Sequence, residues 1–262
     1  VLAGMEYDIP IYGTMAHSFV QAHRDEATAF EHFALAQPDN AILLIDTYDT
    51  EAAAHKVVDL APRLKQQGIL VKGVRLDSGD LADHARKVRR ILDEGGLPQA
   101  QILASGNLDE YQLQRLVAGG APIDSFAVGT AMTTSADAPS LDCAYKLQEY
   151  AGRPCRKRSE GKATWPGRKQ VYRQYNQNGR FDHDVVTTLD DHQPGEPLLQ
   201  PVMTGGRRLA LARKLTELRQ RAATQLALRP DSLRSLEGDR PYDVQISQAL
   251  QDLARTVDQF VP

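Results

Sequence analysis

The segment VKGVRLDSGDL, residues 71–81, sets Arg75, Asp77, Ser78, Gly79 and Asp80 within one short turn. Carboxylates, a hydroxyl, a glycine and a forked cation at that spacing suit a phosphorylated sugar. Asp77 or Asp80 can hold ribose hydroxyls or a magnesium ion, Gly79 lets backbone amides approach a ligand, and Arg75 offers a guanidinium to a carboxylate or phosphate. The same residues admit a plainer reading, in which Ser78 or Asp80 caps a following helix and Arg75 pairs with an acidic neighbour. Ser105, Gly106 and Asn107 in ILASGNLDE, and Gly129 and Thr130 in SFAVGTAMTTS, each follow an apolar run. Loops of this kind can cradle a phosphomonoester through amides and hydroxyls, or serve only as turns. His17, in YGTMAHSFVQ, lies beside Ser18 and shortly after Gly13 and Thr14. Its ring can act as acid, base or phosphoryl acceptor, although a lone histidine at such a place is often structural. His23, His32, His55 and His84 occur in helix-like segments without paired ligand spacing, and read as surface or packing residues. Ligands for a metal ion cannot be assigned from the spacing.

Elements that bring such clusters together are legible between residues 9 and 130. The runs IPIYG, AILLID, VKGVRLD, QILAS and SFAVG each have the length of a buried strand and end in a polar or glycine-rich cluster. Helical spacing follows three of them. Ala53, Val57, Leu60, Ala61 and Leu64 share one helix face before Gly68; Leu81, Ala85, Val88 and Leu92 share another before Gly95 and Gly96; Leu113, Leu116 and Val117 precede Gly119 and Gly120. This rhythm predicts βα repetition with parallel strands, either as an open doubly wound sheet or as a closed barrel. In both cases chemistry is expected at the C-terminal ends of the strands, where the clusters would meet at one mouth.

From about residue 150 the character changes. VYRQY and RFDHDVV flank Asn178-Gly179, a hairpin signal. Leu211, Leu215, Leu218, Ala222 and Leu226 share a predicted helical face, as do Ile246, Leu250, Leu253 and Val257. The expected division is therefore an α/β portion carrying the site over residues 1–150, and a small β element with a helical tail over residues 151–262.

Composition excludes several classes. The net charge of −3 over 262 residues lacks the clustered basic excess of a nucleic-acid binder. The chain has no apolar run near the roughly 18 residues that would span a bilayer, and no signal segment, so no membrane partner and a cytoplasmic location are expected. Cys143 and Cys155 have no CxxC spacing and read as ordinary reduced thiols.

Taken in order, GTMAHSFV, LLIDTYDT, VRLDSGDL, SGNLDE, AVGTAMTTS and PSLDCAYKL resemble the nicotinate phosphoribosyltransferase family, and KATWPGRKQVYR looks like its later lysine-and-PG segment. The resemblance runs from residue 1 to about 210. It implies an irregular TIM-like α/β barrel of the type II phosphoribosyltransferase fold, associated with a second domain built partly from N-terminal sequence that this chain lacks. It also implies that nicotinate displaces pyrophosphate from phosphoribosyl pyrophosphate to give nicotinate mononucleotide, in the Preiss-Handler salvage route of NAD biosynthesis. ATP hydrolysis would be coupled through a phosphohistidine, which His17 matches.

By the same resemblance, Thr14 and Arg75 would hold the nicotinate carboxylate and ring, and Gly129 and Thr130 the 5-phosphate, with Ser105, Gly106 and Asn107 completing that cradle. Gly13, Ser18, Ser78 and Gly79 would line the substrate site. Asp46 and Asp77 are the candidate carboxylates for the oxocarbenium-like displacement, with magnesium on the departing pyrophosphate. A homodimer is implied. The competing readings are a nicotinamide or quinolinate phosphoribosyltransferase, and a non-catalytic barrel fragment that needs an N-terminal partner.

Overall fold

A computed structural model of the chain describes residues 1–141, 143–209, 213–236 and 241–260. The fold divides into two compact units, Ile11–Leu141 and a second made of Val1–Pro10 with Asp142–Pro262.

The chain begins with α1 (Leu2–Tyr7), followed by α2 (His17–Gln21) and α3 (Glu26–Ala36). The βα rhythm then runs through β1 (Ile42–Leu44), α4 (Thr50–Gln66), β2 (Gly73–Leu76), α5 (Leu81–Glu94), β3 (Gln101–Ala104), α6 (Glu110–Ala118), β4 (Ser125–Phe126) and α7 (Thr130–Thr134). The four strands pair in parallel in the order β1-β2-β3-β4. Among the described residues the sheet is open rather than closed into a ring.

The apolar runs form strands because both faces of the sheet are covered, so nearly every residue along them can be apolar. Leu43, Leu44, Val74, Leu76, Ile102 and Ala104 are fully buried. The predicted helix faces meet them: Ala53, Val57, Leu60, Ala61 and Leu64 on α4, and Leu81, Ala85, Val88 and Leu92 on α5, are all buried. At about 25 cal/mol per Å² of apolar surface removed from water, each of the larger side chains contributes roughly 1.5–3 kcal/mol. The three crossover helices open alike, with Asp49, Asp80 and Asp109 accepting the backbone N–H three residues on, at 2.7, 3.0 and 2.7 Å. Such N-caps stabilise a helix start by about 1 kcal/mol each and fix where each strand-end loop stops.

Two expectations for this unit are corrected. IPIYG is an extended segment and not a strand: Pro10 lacks an N–H for a ladder, Ile9, Ile11 and Tyr12 are exposed, and among the described residues no strand pairs with the run. On α6, Val117 is solvent-facing, and only Leu113 and Leu116 pack against the core.

The other unit carries β5 (Glu149–Tyr150), β6 (Arg153–Pro154), β7 (Lys169–Tyr175), β8 (Phe181–Thr188), β9 (Glu196–Pro197), β10 (Met203–Thr204), β11 (Arg207–Arg208), α8 (Leu215–Ala227), β12 (Val244–Ile246) and α9 (Gln248–Gln259). β7 and β8 form the hairpin announced by Asn178-Gly179, in a sheet of order β12-β8-β7-β9. Leu250, Ala254 and Val257 of α9 are buried, but Ile246 belongs to β12 and not to the helix. Leu211 lies outside the described residues. The remaining positions of that predicted face, Leu215, Leu218, Ala222 and Leu226, are exposed on α8. Cys143 and Cys155 are free thiols. No helix of the described residues is long and apolar enough to cross a membrane.

Candidate active site

The C-terminal ends of β1, β2 and β3 carry a connected polar cluster, and parallel pairing is what aligns it. The register Leu44↔Arg75 and Arg75↔Leu103 sets the loops beginning at Ile45, Asp77 and Ser105 side by side. The backbone continues that alignment beyond the strands, through Ile45 N–H to Arg75 O at 3.1 Å and Ser105 N–H to Leu76 O at 2.8 Å.

Asp46 ties the first two loops together. Its side chain is only 2% exposed, and Oδ2 accepts the Asp77 backbone N–H at 2.9 Å and the Ser78 hydroxyl at 2.5 Å. The other oxygen, Oδ1, is buried without a hydrogen-bond partner. Buried carboxylate oxygens are normally satisfied, so an unsatisfied one marks a candidate position for a ligand group.

His17, at the start of α2, completes the cluster. Its Nδ1 lies 3.1 Å from Thr47 Oγ1, while Nε2 lies 4.0 Å from Asp46 Oδ1 and 3.6 Å from Asp77 Oδ2. The ring is thus held at one nitrogen and faces two carboxylates with the other. The Ser105 hydroxyl donates to Asp77 Oδ1 and orients that carboxylate.

Gly106 follows with φ +94°, a backbone region that favours glycine, and a Cβ there would overlap the carbonyl oxygen of Asp77. That close approach is why a glycine stands next to Ser105.

Arg75 donates through Nη1 to Thr14 Oγ1, and its Nε is buried without a partner. The guanidinium thus has a donor without a protein partner, the type of group that a planar anion would pair with. Gly13 is anchored nearby, its carbonyl accepting Asn40 Nδ2 at 2.7 Å. The alternatives for the DSGD turn separate: Asp80 caps α5, whereas Asp77 faces His17.

Other candidates stand apart from this network. Ser18 and Asn107 are exposed, and Asn107 has left-handed backbone with its carbonyl accepting Gln112 Nε2 at 2.9 Å. Gly129 and Thr130 are exposed at the start of α7, and among the described residues neither bonds to the His17 cluster. Thr47 was missed by sequence reasoning. The signal was available, since it follows the strand end directly in IDTYDT, but a threonine there is also an ordinary turn residue. His23 and His32, read as surface or packing residues without paired ligand spacing, meet at 3.1 Å between Nε2 and Nδ1.

The donor set does not make a resident metal site. Among the described residues no group of three or more His, Cys, Asp or Glu converges as metal ligands. Asp46 Oδ1 is an unsatisfied hard oxygen, the kind of ligand that a magnesium ion would take.

The arrangement is a parallel α/β fold with a polar cluster at adjacent strand ends, and solved structures share that fold. A human nicotinic acid phosphoribosyltransferase structure superposes with TM-score 0.80 at 24% identity, over 98% of this chain and 64% of that one. A nicotinate-nucleotide pyrophosphorylase structure from Pyrococcus furiosus does so with TM-score 0.71 at 28% identity, over 86% and 57%. The chain belongs to the nicotinate phosphoribosyltransferase family. Residues 192–254 match the model of the nicotinate phosphoribosyltransferase C-terminal domain. The chain is 45% identical over 258 residues to nicotinate phosphoribosyltransferase pncB2 of Mycobacterium tuberculosis, covering 97% of this chain and 55% of that protein. It is 40% identical over 200 residues to the Bacillus subtilis nicotinate phosphoribosyltransferase, covering 74% and 40%. The chain thus spans about half the length of the curated relatives it matches.

Proposed function

We propose that this chain carries the reaction centre of a nicotinate phosphoribosyltransferase, which makes nicotinate mononucleotide and pyrophosphate from nicotinate and phosphoribosyl pyrophosphate. The observation that carries the reading is the meeting of His17, at the start of α2, with Asp46 and Asp77 beyond adjacent parallel strands, Arg75 lying on the strand that leads to Asp77. The relatives named nicotinate phosphoribosyltransferase support it.

In this reading Arg75, steadied by Thr14, holds the nicotinate carboxylate and so aims the ring nitrogen at the anomeric carbon of the ribose. The nitrogen lone pair forms the new bond to that carbon, while the bond from the carbon to the pyrophosphate oxygen breaks and its electron pair leaves with pyrophosphate. Asp46 and Asp77 stabilise the positive charge that develops on the sugar, an electrostatic effect strengthened by burial of Asp46. Magnesium bound to the pyrophosphate would neutralise the departing charge. The backbone around Gly106, with Gly129 and Thr130, would hold the 5-phosphate. ATP coupling would run through His17: an imidazole nitrogen takes the γ-phosphoryl group, and ADP leaves.

The test offers nicotinate, nicotinamide and quinolinate in turn to an enzyme containing this chain, with phosphoribosyl pyrophosphate as donor and pyrophosphate release as readout. Turnover with nicotinate well above the other two is expected. Preference for nicotinamide or quinolinate would overturn the assignment.

A further inference from the structure

A second contact joins the two helices that lead out of the loops tied together by Asp46. His84, in the first turn of α5, donates from Nδ1 to Glu51 Oε1 at 2.9 Å, and Glu51 lies in the first turn of α4. Each helix leads directly out of one site loop: α4 out of Asp46–Asp49 and α5 out of Asp77–Asp80. The other ring nitrogen of His84 lies against Gly79 of the DSGD turn. A Cβ on Gly79 would lie 2.7 Å from His84 Nε2 and 2.9 Å from Cδ2, so the ring fills the space directly beside that glycine. Lys87, 3.7 Å from Glu51 and 2.7 Å from Asp83, steadies the carboxylate from the same side. Both partners are partly screened from water, with side chains 25% and 31% exposed.

We propose that His84 and Glu51 are positioning residues that hold the Asp77-Ser78-Gly79 turn against the Asp46 loop and thereby set the affinity for phosphoribosyl pyrophosphate. The physical reason is that, among the described residues, the Asp46 carboxylate is the side chain that ties the turn to the Asp46 loop, while the Ser105 hydroxyl ties Asp77 to the next loop along. Without support from His84, the backbone can sink toward the vacated space, and the Asp77 and Ser78 bonds to Asp46 lengthen together. Supporting residues that fix the groups touching a ligand commonly change binding by tenfold or more when removed.

The inference rests on the proposed function for its ligand but not for its geometry, and the experiment separates the two. Amide hydrogen exchange of residues 77–80, read in the full chain without substrate, tests the geometry. Faster exchange at these amides in His84→Ala, with wild-type protection restored in His84→Asn, whose amide can still donate to Glu51, is the expected result. Unchanged exchange in His84→Ala would overturn the proposal. Calorimetric titration tests the ligand: His84→Ala should bind phosphoribosyl pyrophosphate about tenfold more weakly than wild type while nicotinate binding stays within about twofold. Equal weakening of both ligands, together with a lowered melting temperature, would mean that His84 serves only global stability and would reject the positioning role. If the wild-type chain binds no phosphoribosyl pyrophosphate, the proposed function falls, while the exchange result still decides the clamp.

Discussion

The Nε2 atom of His17 lies 3.6 Å from Asp77 Oδ2, across a gap between two segments sixty residues apart in sequence. The imidazole is tied to Thr47 at one nitrogen and faces carboxylates at the other, the geometry from which the proposed phosphoryl-acceptor role is argued. His17→Asn, in an enzyme containing this chain, should abolish incorporation of label from γ-labelled ATP and remove ATP stimulation while leaving a slow ATP-independent transfer. Acid-labile phosphate retained on the variant, or undiminished stimulation by ATP, would reject the phosphohistidine role.

Arg75 donates to Thr14 through one nitrogen and keeps a buried Nε without a partner. Arg75→Lys keeps the charge but loses the planar fork that matches a carboxylate. Nicotinate saturation should weaken by roughly 1.5–3 kcal/mol, the scale of a hydrogen bond to a charged group, while phosphoribosyl pyrophosphate saturation changes much less. Steady-state kinetics varying each substrate in turn decide the matter, and an unchanged KM for nicotinate would remove Arg75 from that subsite.

Gly106 combines a φ of +94° with direct contact to the Asp77 carbonyl. Gly106→Ala must therefore displace the backbone that carries a site carboxylate. A stability loss of about 2 kcal/mol or more is expected, above the roughly 1 kcal/mol of the conformational effect alone. Denaturant unfolding monitored on the chain measures it, and a loss within about 0.5 kcal/mol of zero would show that the loop relaxes freely.

In the other unit, burial and then the hydrogen bond to Asp184 push the Tyr242 hydroxyl up to about 12 from its ordinary value of 10.0. The folded chain thus keeps this proton over a range in which the unfolded chain loses it, so stability falls as pH rises from about 10 to about 12. Tyr242→Phe should flatten that part of the stability profile relative to wild type. An identical alkaline decline in both proteins would assign it to other groups.

Much of the Ile11–Leu141 unit was written in its sequence. The faces of α4 and α5 and the strands AILLID, VKGVRLD and QILAS follow from periodicity, because each burial decision there is local to one element and its neighbour. IPIYG looked the same and is not a strand, since apolar character specifies a strand only where a partner edge and a cover exist. The exposed face of α8 makes the same point for a helix.

For the site, the sequence determined the inventory: His17, Asp46, Arg75, Asp77 and Ser105 each stand at a strand end or a helix start, where their types are recognisable. Only the tertiary structure decided which of them meet. Parallel register aligns Arg75 with Leu44 and Leu103, and this alignment brings Asp46 to the Asp77 amide and Ser105 to the Asp77 carboxylate. It also decided that Asp80 caps a helix while Asp77 faces the histidine, that Thr47 holds the ring, and that His84 supports a turn it was not expected to touch. These assignments depend on distances between segments far apart along the chain. Such distances are set by strand register and helix packing, which no single stretch of residues encodes.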